Sequence, residues 1–210
     1  MLKISISHSL TSDARVAATA MATHALQELG ECAPTAALLF STFGNDHAGL
    51  LRELVQLLPG CPIVGGSSNG EVSREQGYRV GSSILIVFAS DTITIRAGVL
   101  RGLTFDNEAL NLEMAFQQWH TQRLAHPSGK GQSLGTPVLG LLFPDGLGLD
   151  GGSIVRLFSD YFVGTRFFGG GQCRELYADA NGAVLQRRGT AQRRALPVFL
   201  WPAALSLGSH

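Results

Sequence analysis

Short apolar runs alternate along the chain with longer stretches in which apolar residues recur at helical spacing. Residues 2–6 predict a first strand, and the alanine-rich stretch 13–29 predicts a helix that ends at Gly30. Residues 36–41 predict a buried strand, and residues 46–58, with leucines along one face, predict a second helix. This alternation of strand and helix is typical of an α/β fold.

The rest of the chain continues the alternation. Two apolar runs that meet at Ser90 and Asp91 predict a hairpin, and the Asn181-Gly182 pair predicts a second hairpin near the end of the chain. In chain order the predictions are strands over 61–64, 81–89 and 92–100, a helix over 106–124, a strand over 138–143, a helix over 150–162, and strands over 175–178 and 183–186.

Residues 38–71 resemble residues 141–175, because each segment predicts a strand, a helix, a short strand and a glycine pair. Equivalent residues are Arg52 and Arg156, Gly60 and Gly164, Gly65-Gly66 and Gly169-Gly170, and Glu71 and Glu175. We interpret this as a duplicated β-α-β unit within one domain over 1–210, with pseudo-repeats of about 1–104 and 105–210. The alternative is that any two β-α-β units share this order of elements. The predicted fold is α/β, with a mixed, largely parallel sheet and flanking helices. Two such units in one sheet would bring both glycine loops to the carboxyl ends of parallel strands, where open α/β sheets bind ligands.

Charge and cysteine content exclude several classes of protein. The 16 basic and 16 acidic residues balance, so we expect neither nucleic acid nor an anionic membrane as a partner. The three cysteines show neither disulfide nor zinc-site spacing. No signal peptide and no apolar run of membrane-spanning length is visible, so we expect a cytoplasmic location.

The segment 65–71 carries the first part of a candidate ligand site. Consecutive glycines after a strand expose backbone N–H donors, and short hydroxyl and amide side chains add donors for carboxylate, phosphate or amide oxygens. A glutamate adds an acceptor for a ligand ammonium group. The candidates are Gly65, Gly66, Ser67, Ser68, Asn69 and Glu71. The alternative is a tight turn without a ligand.

A second glycine segment and an acidic turn complete the candidate site. The opposite wall is predicted to consist of Gly169, Gly170, Gly171 and Gln172. Asp145 follows a strand in a proline-fixed turn, and either pairs with a ligand cation or accepts a hydrogen bond within its own turn. We expect a small polar ligand to lie where these segments converge.

Patterns typical of catalysis are weak in this chain. Residues 146–151 match the Gly-x-Gly-x-x-Gly spacing of dinucleotide sites, but Asp145 would place a negative charge beside the pyrophosphate. The histidines have no metal-ligand spacing, and no nucleophile elbow is present. We therefore assign no catalytic residue and no metal, and expect the chain not to be an enzyme. Two alternatives stay open: an enzyme acting on a small carbonyl or phosphate compound at the same site, and an interaction scaffold.

The ordered set of motifs resembles the N-terminal half of FIST sensory domains, over roughly residues 1–184. The motifs are Gly65-Gly66-Ser67-Ser68-Asn69-Gly70-Glu71, Gly77-Tyr78, Gly81-Ser82, Leu142-Phe143-Pro144-Asp145-Gly146-Leu147 and Phe168-Gly169-Gly170-Gly171. Each motif alone is unspecific, and their order and separations carry the resemblance.

The resemblance implies an input module for intracellular signal transduction that senses small molecules such as amino acids. It implies a signalling protein, or a C-terminal FIST-type domain on another chain, as the partner, and a homodimer is a further possibility. Some relatives are associated with haem and nitric oxide sensing, so a haem-linked gas sensor is an alternative, although no haem ligand is assigned among the histidines.

Overall fold

The computed structural model describes residues 1–97, 100–103, 114, 136–144, 146, 150–171, 175–178, 184–185 and 193–202. In chain order the elements are β1 (Leu2–Ser9), α1 (Ala14–Leu29), β2 (Ala36–Thr42), α2 (His47–Leu57), β3 (Ile63–Ser68), β4 (Glu71–Ser73), β5 (Gly77–Arg79), β6 (Ser83–Ser90), β7 (Ile93–Ala97), β8 (Leu100–Leu103), β9 (Leu139–Pro144), α3 (Gly151–Tyr161), β10 (Arg166–Gly169), β11 (Glu175–Ala178), β12 (Val184–Leu185) and β13 (Arg193–Pro202).

Each of these helices begins at an aspartate. The Asp13 carboxylate accepts from the Val16 amide at 2.9 Å, and the Asp46 carboxylate from the Gly49 amide at 3.0 Å. Asp150 accepts from the Ser153 hydroxyl and from two backbone amides, and these hydrogen bonds hold the pKa of Asp150 below its ordinary value. Because a carboxylate satisfies amides that have no partner inside a helix, these short local signals predict the helix starts correctly.

The larger sheet has six strands in the order β1-β6-β2-β3-β11-β12. Strands β2 and β3 are parallel, whereas the other neighbouring strands in this sheet are antiparallel. One face is covered by α1 and α2, whose buried side chains pack on strand residues such as Leu39, Ile63 and Leu85. The apolar residues of β2 and β6 therefore divide between two cores, one on each face of the sheet.

The opposite face packs on a second sheet with the order β10-β9-β13-β7, to which β8 is joined through β13. Leu38 and Val64 of the first sheet form one apolar cluster with Ala97 and Phe143 of the second. Helix α3 contacts β9 and β10, and its Phe158 is fully buried. The described residues thus form layers of helices, sheet, sheet and helix.

The prediction of a mixed α/β fold is confirmed, but a largely parallel sheet is not, because most strand pairings are antiparallel. The predicted hairpin of 81–89 with 92–100 is wrong. Strand β6 has both edges occupied by β1 and β2, so β7 leaves the first sheet and pairs with β13 in the second. The predicted hairpin near the end of the chain is confirmed by the antiparallel pairing of β11 with β12.

The two predicted β-α-β units are present, but they lie in different sheets rather than in one. β2-α2-β3 contributes the parallel pair of the first sheet, and β9-α3-β10 contributes the parallel pair of the second. Their common origin by duplication stays a prediction, as does the division into pseudo-repeats. Apart from helical Met114, the predicted helix over 106–124 lies outside the described residues.

None of the described helices combines the length and the apolar character that crossing a bilayer requires.

Candidate ligand site

A cavity of about 290 Å³ lies where the ends of β3 and β10 approach each other across the two sheets. It is lined by Phe40, Ser67, Ser68, Asn69, Phe143, Gly170 and Gly171. The cavity therefore brings together parts of the two glycine-containing segments that the sequence singles out. The two segments lie in different sheets rather than in one, but each includes the end of the second strand of a parallel pair.

Ser67 borders this cavity through its backbone. The residue is only 3% exposed, and its hydroxyl forms no hydrogen bond with any described residue. Ser67 is paired with Ser41 of β2, and Ile63 and Leu39, on the same face as these two serines, pack against α1 and α2. The Ser67 hydroxyl therefore lies on the helix-covered face of the sheet, whereas the cavity lies on the face of Phe40.

The other lining groups provide both polar and apolar contacts. Asn69 is exposed, and its backbone oxygen accepts from the Tyr78 hydroxyl at 3.2 Å. Phe40 and Phe143 meet edge to face, with ring centroids 5.3 Å apart, and form the apolar wall. A Cβ placed on Gly170 would meet no atom within 4 Å, so space is open at this side of the cavity.

Glu71 is bound to the protein itself. It is 6% exposed, and its carboxylate accepts hydrogen bonds from the hydroxyls of Thr42, Ser68 and Ser82. The Thr42 hydroxyl oxygen also accepts from the backbone amides of Gly81 and Ser82, at 3.0 and 3.1 Å. These hydrogen bonds hold the β4–β5 hairpin against the end of β2. Glu71 borders a different cavity, so its role as a partner for a ligand ammonium in the 290 Å³ cavity stays a prediction.

Gly65 and Gly66 lie inside β3 rather than in a loop after it, which corrects the predicted end of this strand. Strand β3 pairs with β2 along one edge and with β11 along the other. A Cβ on Gly65 would overlap the backbone carbonyl of Leu39, and a Cβ on Gly169 would overlap that of Leu142. Close approach of neighbouring strands therefore requires glycine at both positions. Neither Gly65 nor Gly66 lines the 290 Å³ cavity.

The acidic turn is described only at its flanks. Asp145 and Gln172 lie outside the described residues, so their predicted ligand contacts stay predictions. Gly146 approaches the second glycine segment: a Cβ on Gly171 would lie 2.8 Å from the Gly146 Cα. The backbone of this turn is thus close to one wall of the cavity.

Potential metal ligands do not cluster in the part of the chain that the structure describes, where no group of three occurs. A second cavity, of about 540 Å³, has no histidine, cysteine, methionine or tyrosine in its lining that would serve as an axial ligand to a haem. His47 is buried with its Nε2 3.0 Å from the Thr42 carbonyl oxygen, and His8 lies beside Ser82 and Ile84 in a separate small crevice.

Cys61 is expected to be unreactive in the folded protein. Burial raises the pKa of its thiol from 9.0 to about 12, so the nucleophilic thiolate is scarce. Iodoacetamide at about pH 8 should label exposed Cys32 and spare Cys61 until urea unfolds the chain, as measured by peptide mass spectrometry. Equal labelling of Cys32 and Cys61 in the native protein would contradict this expectation.

The raised pKa of Cys61 also makes the stability of the fold depend on pH. Because the thiol loses its proton at a lower pH in the unfolded chain than in the folded one, its ionisation lowers the free energy of unfolding progressively as pH rises from 9.0 to about 12.

Sequence reasoning missed the partners that organise the site. Thr42 and Ser82 are ordinary strand-end residues in the sequence, and only the folded chain brings their hydroxyls to Glu71. Phe40 was predicted only as part of a buried strand, although it borders the cavity. No local pattern marks these roles, because each depends on a contact between distant parts of the chain.

Comparison with known proteins identifies the family. None of the curated proteins matches the chain. The model of the FIST N domain matches residues 35–208, which is most of the chain. The match includes all five motifs on which the resemblance rests. FIST domains are a family of small-ligand-sensing domains in signal transduction. The chain therefore belongs to the FIST N domain family.

Proposed function

We propose that this protein is a cytoplasmic sensory module that binds a small polar molecule, such as an amino acid, in the 290 Å³ cavity. The observation that carries the proposal is the cavity itself, in which Ser68 and Asn69 at the end of β3 meet Gly170 and Gly171 after β10. Membership of the FIST N domain family supports a sensory role. The module acts by binding rather than by turnover.

The lining favours a ligand of a particular size and polarity. Its volume is near the lower end of the range of about 300–1,000 Å³ that is usual for ligand pockets, so the ligand is small. Asn69 offers an amide group to a carboxylate or an amide, and Phe40 and Phe143 offer an apolar surface to a side chain. Asp145, on the turn whose Gly146 approaches Gly171, is the proposed partner for a ligand ammonium.

Binding in this cavity would be transmitted through the relative position of the two sheets. Ser67 belongs to β3 of the first sheet, whereas Gly170 and Gly171 follow β10 of the second. A ligand that bridges them favours one arrangement of the sheets, and a partner that distinguishes the arrangements reads the bound state. The partner is a signalling protein or a C-terminal FIST-type domain on another chain.

Asn69→Ala is the test of this site. The free protein should keep its melting temperature, because Asn69 is exposed and Tyr78 donates to its backbone oxygen rather than to its side chain. Affinity for the ligand should fall about five- to tenfold, the usual value of one hydrogen bond. A thermal-shift screen of the twenty amino acids with the wild-type chain identifies the ligand, and isothermal titration calorimetry then compares the variants.

Asn45→Ala is the matched control. The Asn45 amide donates to the Ser41 hydroxyl at 3.0 Å and to the Ser82 carbonyl at 3.2 Å, and Asn45 does not border the cavity. This variant should lower the melting temperature and leave ligand affinity unchanged. Gly170→Leu, which fills open space beside the cavity, should abolish binding. The proposal fails if no amino acid shifts the melting temperature, or if Asn69→Ala binds as well as the wild-type chain.

A further inference from the structure

A second and larger cleft lies on the face of the first sheet that carries the β4–β5 hairpin. Its volume is about 540 Å³, within the range usual for ligand pockets. The floor consists of Ile6, Phe40, Ile84 and Ile86, from three neighbouring strands. Ile6 stands opposite Ile86, and Phe40 opposite Ile84, so the apolar side chains form a continuous surface. Val72 of β4 contributes to the wall.

The apolar floor is only partly covered by the protein. Ile6 is 54% exposed and Val72 is 72% exposed, although both border the cleft. Exposed apolar groups that lie together in a concavity gain free energy when a ligand removes them from water. The floor therefore favours an occupant with an apolar chain or ring.

The charges around this cleft are unbalanced. Its lining includes two carboxylates, Glu71 and Glu75, and one guanidinium, that of Arg74. Three hydroxyls donate to Glu71, so its carboxyl oxygens act as acceptors. Among the described residues, no cation lies within ion-pair distance of Glu71 or Glu75. A buried carboxylate without a counter-ion favours a cation nearby, since Coulomb attraction is stronger where water is excluded.

We propose that this cleft binds a small amphipathic cation, with its apolar part on the isoleucine floor and its ammonium group towards Glu71 and Glu75. The site is separate from the polar cavity, with Phe40 and Ser68 as the shared wall. The inference does not depend on the proposed polar ligand.

Three octyl compounds test the head group: octylammonium, octanol and octanoate, each titrated calorimetrically into the full chain below its micelle concentration. The apolar part is the same in all three, so differences in affinity report the charge preference. Octylammonium should bind about threefold more tightly than octanol, and octanoate more weakly than either, as expected for partly exposed charge pairs. Octanoate binding as tightly as octylammonium would overturn the assignment of a cation.

The carboxylate contribution is tested by Glu75→Gln, with Glu31→Gln as the control. Both glutamates are exposed, but only Glu75 borders the cleft. Glu75→Gln should weaken the binding of octylammonium about two- to threefold and leave the affinity for octanol unchanged, whereas Glu31→Gln should change neither affinity. Equal effects of the two variants would show that general charge, rather than this cleft, attracts the cation.

The floor is tested by Ile6→Thr against Ile4→Thr. The two isoleucines lie on the same face of β1 and are 54% and 50% exposed, but only Ile6 borders the cleft. Ile6→Thr should weaken the binding of octylammonium and of octanol about fivefold, and Ile4→Thr should leave both affinities unchanged. Val72→Thr, on the opposite wall, provides a second variant with the same expectation as Ile6→Thr.

Two further outcomes overturn the proposal: absence of binding by every octyl compound, or equal effects of Ile6→Thr and Ile4→Thr. Failure here is distinguishable from failure of the polar site. Asn69→Ala should leave octylammonium binding unchanged, and Ile6→Thr should leave amino-acid binding unchanged, since Asn69 and Ile6 each border only one of these two cavities.

Discussion

Gly65→Ala is expected to lower the free energy of unfolding by about 3 kcal/mol, which corresponds to a fall of about 6–12 °C in melting temperature. The alanine Cβ would overlap the carbonyl group of Leu39 in the neighbouring strand β2. The overlap is with backbone, so no side chain can rotate away, and β2 and β3 must separate. Both strands lie in the middle of the six-stranded sheet, where such a shift also disturbs β6 and β11.

Gly169→Ala and Gly170→Ala make this a controlled test. A Cβ on Gly169 would overlap the Leu142 carbonyl, whereas one on the adjacent Gly170 would meet nothing within 4 Å. Gly169→Ala should therefore be strongly destabilising and Gly170→Ala should lie within about 0.5 kcal/mol of wild type, by urea denaturation. If Gly65→Ala were as stable as Gly170→Ala, the close approach of β2 and β3 would not explain why position 65 requires glycine.

Glu71→Ala is expected to destabilise the protein by a similar amount, about 3 kcal/mol. Its carboxylate is the common acceptor for the hydroxyls of Thr42, Ser68 and Ser82. Removing it leaves these hydroxyls without that acceptor and leaves a void at the base of the β4–β5 hairpin. Glu71→Gln should cost only about 1 kcal/mol, because the amide oxygen still accepts and the hydroxyls can rotate.

Glu75→Gln is the control for Glu71, because Glu75 is an exposed glutamate of the same hairpin. It should change stability by less than about 0.5 kcal/mol. A double-mutant cycle of Glu71→Ala with Thr42→Val isolates the hydrogen bond between these residues, which should appear as a coupling of about 1–3 kcal/mol. Additive effects would contradict a direct interaction.

Local sequence predicts five of the seven residues that line the candidate cavity: Ser67, Ser68, Asn69, Gly170 and Gly171. The sequence places residues 65–71 in a loop, but Gly65, Gly66, Ser67 and Ser68 lie inside β3. A glycine pair after an apolar run has the same pattern in both cases. The deciding contact, with the Leu39 carbonyl, comes from another strand.

Local sequence alone determined the positions of the helices and most of the strands in this protein. The aspartates at positions 13, 46 and 150 begin the helices because a carboxylate satisfies free amides two or three residues away. The alternation of apolar residues likewise places β1, β2, β6 and β9 close to their predicted bounds. These signals are local, since donor and acceptor, or successive side chains on a face, lie within a few residues.

Only the tertiary structure decided how the strands are arranged and what the polar residues contact. Strand β6 lies between β1 and β2, which separates it from β7 and places the two β-α-β units in different sheets. Glu71 became a structural acceptor because Thr42 and Ser82 approach it from β2 and from the segment before β6. Many strand orders are compatible with the same local sequence pattern, so the pattern does not select among them. The observed order is selected because burial of apolar side chains and satisfaction of buried hydrogen bonds depend on contacts between residues that are distant in sequence.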